Sequence, residues 1–422
     1  MRFAALNDWL AWQETLHPQT IDMGLQRVAQ VVHALALKRP APLVISVAGT
    51  NGKGSCVALL ESIFSAAGYK VGAYTSPHLL RYNERVRIAA RAMDDTALCA
   101  AFERIDQARG DTSLTYFEFG TLAALDIFAA ADLDIAILEV GLGGRLDAVN
   151  IIDADVALIT SIGIDHVEWL GTDREAIGAE KAGIFRAGRA AVYGEADAPQ
   201  SVQRHAEQTG ASLLCLDRDY RYAVTAHGWD WWSAGVRYAA LPLPNLPGTF
   251  QLQNAAAVLM VLLQVAATRP VSEAALHCGL TTAHLPGRFQ ILPGAVEWIV
   301  DVAHNPHGAT ALAKALEQRP CAGQTHLVLA MLADKDAQGV VGALRTQVDY
   351  WYCAGLSGAR SQSGATLAAR AGLGGASAPG ISVDVAGACA QANATARAGD
   401  RIVVCGSFHT VAEALQCRSE FA

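Results

Sequence analysis

Short apolar runs recur along the first two thirds of the chain, each followed by a polar, helix-patterned stretch ending in glycine. Leu43 to Ala48, Lys70 to Tyr74, Asp134 to Val140 and Val156 to Ile162 read as the clearest strands. Ser55 to Ala67 stops before Gly68 and Asp95 to Arg109 before Gly110, as helices do when glycine supplies a left-handed cap. Thr172 and Glu175 stand three apart and predict a capping box. Over residues 1 to 290 this alternation is the rhythm of a parallel α/β sheet.

The rhythm restarts after Leu285-Pro286-Gly287, with strands near Val296 to Asp301, Thr325 to Met331 and Arg401 to Cys405, and a helix over 307 to 318. The expected fold is therefore α/β: a mostly parallel sheet domain of the P-loop type over 1–287, then a smaller, Rossmann-like α/β domain over 288–422. A length of 422 residues agrees, since single cores stop growing near about 250–300 residues. The Gly-, Ala- and Ser-rich stretch 354 to 380 predicts a mobile surface loop with one short helix.

Composition narrows the function. Asp126, Asp132, Asp134 and Gln264 break the apolar runs before bilayer length, so no membrane span is expected. The first residues lack a basic start followed by an apolar stretch, which predicts a cytoplasmic protein. A net charge of −8 argues against a nucleic-acid partner. The nine cysteines include no Cys-x-x-Cys pair, which favours free core thiols over disulfides or zinc ligands.

The sharpest chemical signal is Gly49-Thr50-Asn51-Gly52-Lys53-Gly54-Ser55, between a strand and a helix. Glycines let backbone N–H groups turn toward phosphate oxygens, Lys53 offsets their charge, and the helix N-terminus adds its dipole. The spacing departs from a regular Walker A, because Val47 stands where its first glycine would be and Gly54 separates Lys53 from Ser55. In Glu139-Val140-Gly141-Leu142-Gly143-Gly144-Arg145-Leu146-Asp147 an acid ends a buried strand. Glu139 is there either a Mg²⁺ ligand or a capped structural acid. His166 follows the next strand, and Lys181 sits in a helix where a solvated lysine is the ordinary reading. Asp301-Val302-Ala303-His304 and Gly406-Ser407-Phe408-His409 are polar turns at strand ends in the second domain.

Taken in order, these strings resemble the bacterial bifunctional dihydrofolate synthase/folylpolyglutamate synthase family of the Mur ligase superfamily. The likeness runs nearly end to end. It takes in Leu16-His17 through Thr20 to Leu25, the loop at 49–55, Thr75-Ser76-Pro77-His78-Leu79, Thr115 to Thr121, 139–148, Asp165-His166, 180–186, 285–290, 301–307 and 405–413. Valine at Val149 replaces the threonine usual in the family.

The resemblance implies that Ser76, Glu139 and His166 organise Mg²⁺ while Lys53 and its loop hold the ATP phosphates. It implies that Lys181 is carbamylated, which converts a cation that repels Mg²⁺ into an anion that binds it. Asn254, Arg288 and Asp301 match positions that contact ATP across a domain junction. Phe117 matches an aromatic that stacks on a pterin and Asp147 an acid that hydrogen-bonds it. His304, Ser407 and His409 match strings near the nucleotide and amino-acid end of the site.

The implied activity is an ATP- and Mg²⁺-dependent amide ligase, a monomer that joins L-glutamate to dihydropteroate and to reduced folates. A carboxylate has no usable leaving group, so ATP would convert it to an acyl phosphate for the amine to attack. One alternative is another Mur-type amino-acid ligase, although these usually carry an extra N-terminal domain and the loop here begins at residue 49. The other is a non-catalytic P-loop nucleotide switch, which gives no reason for Ser76, Glu139, His166 and Lys181 to accompany the loop.

Overall fold

Strand β1 (Leu43–Ala48) is buried at every position, and the strands beside it are too. A run apolar on both faces needs cover from helices on both sides. The computed structural model, which describes residues 2–248, 250–358, 360–375 and 378–418, supplies that cover. It divides into two compact units, Met1–Asn245 with Leu252–His284, and Leu246–Gln251 with Leu285–Ala422.

The first unit adds β2 (Val71–Tyr74), β3 (Val86–Ile88), β4 (Arg91–Ala92), β5 (Ile135–Glu139), β6 (Val156–Ile159), β7 (Ala190–Tyr193) and β8 (Ser212–Cys215). Among the described residues these form one sheet in the order β4-β3-β2-β5-β1-β6-β7-β8. Pairing is parallel from β2 to β8 and antiparallel at the β3 and β4 edge. The helices Lys53–Ala66 and Tyr116–Ala129 bury most of their length against it. Neighbours β2, β5, β1 and β6 bring their carboxyl ends side by side, which is where open α/β sheets place ligands.

Three local expectations need correction. Strand β6 stops at Ile159 instead of Ile162, because Ser161 O accepts from Thr50 N at 2.8 Å and Ile162 N donates to Glu195 at 2.9 Å, both outside the ladder. The capping box at Thr172 does not form. Asp173 caps the helix Arg174–Ala182 by accepting from Ala176 N, and Glu175 reaches instead to the N–H groups of Gln200 and Ser201. Gly68 has φ +88°, but Gly110 combines φ +53° with ψ −120°, outside the left-handed helical basin.

The parallel rhythm itself is interrupted by a three-stranded antiparallel sheet: β9 (Arg221–Thr225), β10 (Gly228–Ser233) and β11 (Val236–Leu241). Trp229 and Trp231 alternate into the core, and Ala234-Gly235 turns the chain with positive φ at both residues.

In the second unit β12 (Gln290–Leu292), β13 (Glu297–Asp301), β14 (Thr325–Leu329), β15 (Tyr350–Ala354), β16 (Gly380–Ser382) and β17 (Arg401–Cys405) make a sheet in the order β12-β13-β17-β14-β15-β16. All its pairs are parallel except β12 with β13. The glycine-rich stretch contains the helix Gly364–Arg370, capped by Ser363, and runs into β16; residues 359, 376 and 377 lie outside the described residues. None of the nine cysteines is in a disulfide among the described residues, and no described helix is long and apolar enough to cross a membrane.

Candidate active site

The loop after β1 is pinned to the chain after β6. Thr160 and Ser161 hydroxyls donate to Asn51 O at 2.6 and 3.1 Å, and Thr50 exchanges hydrogen bonds of 3.0 Å with Gly163. Gly49 has φ +152°, and a Cβ there would stand 1.9 Å from Thr160 Oγ1, so no other residue fits. Gly52 has φ +85° and starts the helix Lys53–Ala66, with Asn254 packed against it: a Cβ on Gly52 would meet Asn254 Oδ1 at 2.6 Å. Gly54 and Ser55 are buried in the first turn. Lys53 Nζ folds back onto Gly49 O at 2.9 Å and Thr50 O at 3.2 Å.

Lys181 lies 132 positions from Gly49 in sequence yet donates to the same Gly49 carbonyl at 3.1 Å. Its side chain is buried, and burial, with the Lys53 charge second, pulls its pKa down to about 7. The turn after Glu139 fixes that helix in place. Arg145 N donates to Glu180 O at 2.8 Å, and a Cβ on Gly144 would come within 2.8 Å of Glu180 O and 2.9 Å of Lys181 O.

Glu139 is buried at the carboxyl end of β5, and Ser76 N donates to its Oε2 at 3.3 Å. His166 is held at φ +51°, a conformation uncommon outside glycine, with Nε2 4.0 Å from Asp165 Oδ2. Among the described residues no three His, Cys, Asp or Glu side chains form a metal cluster. A carboxylate beside a serine is nevertheless a donor set that suits Mg²⁺, which takes one or two carboxylates and completes its shell with phosphate and water.

Phe117 is half-buried at the start of the helix Tyr116–Ala129. Its ring lies against Gly141, where a Cβ would approach within 2.5 Å, and 6.1 Å from the Tyr74 ring. Thr115 and Glu118 cap that helix reciprocally, and Glu118 also accepts from Arg27 at 2.9 Å. Asp147 accepts from Leu142 N at 2.8 Å and Val149 N at 3.0 Å, yet burial outweighs these bonds and lifts its pKa to about 7. A carboxyl near half protonation beside a half-buried aromatic can both donate and accept, which suits a heteroaromatic ring carrying both kinds of group.

In the second unit Asp301 ends β13 buried, accepting from Phe289 N and Ala303 N at 2.7 Å, with its pKa raised by burial. Arg288 stacks over Phe408 at 5.2 Å, and His304 Nδ1 lies 2.9 Å from Val302 O. Ser407 caps the helix Phe408–Arg418 through Thr410 N at 3.0 Å, and His409 is exposed on its first turn.

One residue at this end of the sheet escaped the sequence reading. Lys335, 7% exposed, follows β14 and lies 3.9 Å from Asp334. The signal was there, a lysine between two acids just after an apolar strand.

Comparison with known proteins places the chain. Residues 47–262 match the Mur ligase middle domain and 287–408 the Mur ligase glutamate ligase domain. The chain is 48% identical over 412 residues to the dihydrofolate synthase/folylpolyglutamate synthase of Escherichia coli K12, covering 97% of this chain and 95% of that protein. Its fold is similar to E. coli FolC in complex with DHPP and ADP, with a TM-score of 0.93, 48% identity and coverage of 99% and 98%. It is also similar to a bifunctional folylpolyglutamate synthase/dihydrofolate synthase with Mn, AMPPNP and L-glutamate bound. There the TM-score is 0.91 at 48% identity, over 99% of this chain and 98% of that one.

Proposed function

The chain belongs to the dihydrofolate synthase/folylpolyglutamate synthase family of Mur ligases, and from that premise we propose how its own residues carry out the reaction. It is an ATP- and divalent-metal-dependent ligase that adds L-glutamate to dihydropteroate and to reduced folates through an acyl phosphate. The convergence of Lys53 and Lys181 on Gly49 O carries the residue-level reading.

The loop 49–55 receives the nucleotide phosphates on its N–H groups, and Lys53 swings from its carbonyls to their oxygens. Asn254, packed on Gly52, holds the nucleotide on the same side. Magnesium, when bound, offsets charge on the transferring phosphoryl oxygens, and Ser76, Glu139 and His166 would hold it. Lys181 is a neutral amine at neutral pH for much of the time, so it can add to CO₂; its carbamate would then join the metal ligands.

Phe117 stacks on the pteridine of the acceptor and Asp147 hydrogen-bonds its edge. The acceptor carboxylate then attacks the γ-phosphorus of ATP, ADP leaves, and the glutamate amine displaces phosphate from the acyl carbon. We assign the first unit to nucleotide and acceptor. The second we assign to glutamate ligation, with Arg288 and Asp301 as nucleotide contacts and His304, Ser407 and His409 at the amino-acid end. Nine cysteines without a disulfide among the described residues favour a cytoplasmic setting.

The test is ADP release with ATP, Mg²⁺, glutamate and either dihydropteroate or tetrahydrofolate, with Lys53→Ala as control. Glutamate-dependent turnover with both acceptors, lost in the control, is expected. Turnover with neither would overturn the reading.

A further inference from the structure

Several arginines of the first unit are held by carboxylates. Arg27 pairs with Asp22 at 2.6 Å and Glu118 at 2.9 Å, Arg81 with Asp95 at 3.1 Å, Arg87 with Glu61 at 2.7 Å and Arg145 with Glu180 at 2.7 Å. Arg85 is only 8% exposed, yet among the described residues no carboxylate pairs with it. Among the described residues its side chain makes one hydrogen bond, from Nε to Nδ1 of His78 at 2.9 Å, and none from either terminal nitrogen. Its guanidinium carbon lies 5.2 Å from the Tyr82 ring centre and 5.5 Å from that of Tyr116.

A guanidinium withdrawn from water is costly without an anion, and two aromatic faces offset only part of that cost. The position of Arg85 says which anion. His78 ties it to the segment carrying Ser76, and Tyr116 ties it to the helix start carrying Phe117. Its charge reaches the Tyr74 hydroxyl, which also feels Asp147. Lys53 and Lys181 are both engaged at Gly49 O and belong to the nucleotide side.

The two acceptors differ in one respect relevant here. Dihydropteroate ends in a single carboxylate, which the reaction consumes. A folate ends in a glutamyl group, so one carboxylate is consumed and the α-carboxylate remains an anion throughout. We propose that Arg85 binds this remaining α-carboxylate through its two terminal nitrogens and thereby serves folate elongation in particular. The inference rests on the ligase reading above. Two parallel N–H donors match a carboxylate bidentately, an arrangement lysine cannot reproduce.

The experiment uses the full chain with Arg85→Gln and Arg85→Lys. One arm compares kcat/KM for tetrahydrofolate and dihydropteroate; the other compares binding of tetrahydrofolate with its α-carboxamide. The ratio of folate to dihydropteroate efficiency should fall by about tenfold or more in Arg85→Gln, with a smaller fall in Arg85→Lys. The parent should bind the acid more tightly than the amide, and the variants should lose that preference. Equal loss of both activities, no change in the ratio, or a parent indifferent to acid and amide would overturn the proposal. If Arg85→Gln does not fold, Arg85→Lys and the parent's acid-to-amide comparison decide it. A parent inactive with both acceptors would instead defeat the ligase reading.

Discussion

The side-chain nitrogens of Lys53 and Lys181 hydrogen-bond the same oxygen, the carbonyl of Gly49, at 2.9 and 3.1 Å. Burial, and after it the neighbouring Lys53 charge, pulls the Lys181 pKa down to about 7. That is the physical basis for reading Lys181 as an amine able to take up CO₂.

Lys181→Ala should therefore lower kcat by about a hundredfold or more, the scale of losing a group that organises charge in a transition state. Parent enzyme stripped of CO₂ should lose activity that bicarbonate restores, whereas bicarbonate should do nothing for Lys181→Ala. Full activity of CO₂-free parent enzyme would exclude a carbamate. The readout is ADP release before and after bicarbonate addition.

Asp147 makes a prediction about pH and stability. Its pKa is raised from 3.8 to about 7, so between those values the folded chain holds a proton that the unfolded chain releases. Stability is therefore lost as pH rises through that window, by on the order of 2–4 kcal/mol once both states are ionised. Asp147→Asn does not titrate, so its unfolding free energy relative to the parent should improve from pH 4 to pH 8. Denaturant melts at both pH values measure this; an unchanged difference would show that the carboxyl is not perturbed.

Phe117→Ala removes a half-buried ring from the proposed acceptor side and leaves the loop at 49–55 alone. KM for dihydropteroate should rise by about tenfold to a hundredfold, from lost area and stacking, while KM for ATP stays within about twofold. Gly141→Ala should act in the same direction, since its Cβ would stand 2.5 Å from the Phe117 ring and displace it. Equal effects on both substrates would place Phe117 in the core instead.

Gly52→Ala tests the loop from the other side. The residue needs φ +85°, and the added carbon would press on Asn254 Oδ1 at 2.6 Å. Strain of about 1–3 kcal/mol in the loop should appear chiefly as weaker ATP binding, readable by calorimetry. Unaltered ATP affinity would show that the loop tolerates the shift.

Much was legible from the sequence because it is local. Leu43 to Ala48 can only be a doubly buried strand, and the glycines after it permit a backbone that turns its N–H groups inward. Arg401 to Cys405 likewise forms a strand within the bounds its apolar run predicts. Where local signals competed, the sequence was ambiguous. Asp173 displaced Thr172 as a cap because Glu175 found better partners on another helix, and the tryptophan-rich hairpin broke the parallel rhythm.

By itself, then, the sequence determined the alternating elements, the glycine-rich loop at 49–55 and the order of polar turns at strand ends. Only the tertiary structure decided what those turns do to one another. It brings Lys181 onto Gly49 across 132 positions, lays Phe117 on Gly141, and leaves Arg85 buried among tyrosines while its neighbours find carboxylates. The reason is physical: a pKa or an unsatisfied charge depends on burial and on distances through space, and neither is encoded in the spacing of residues along a chain.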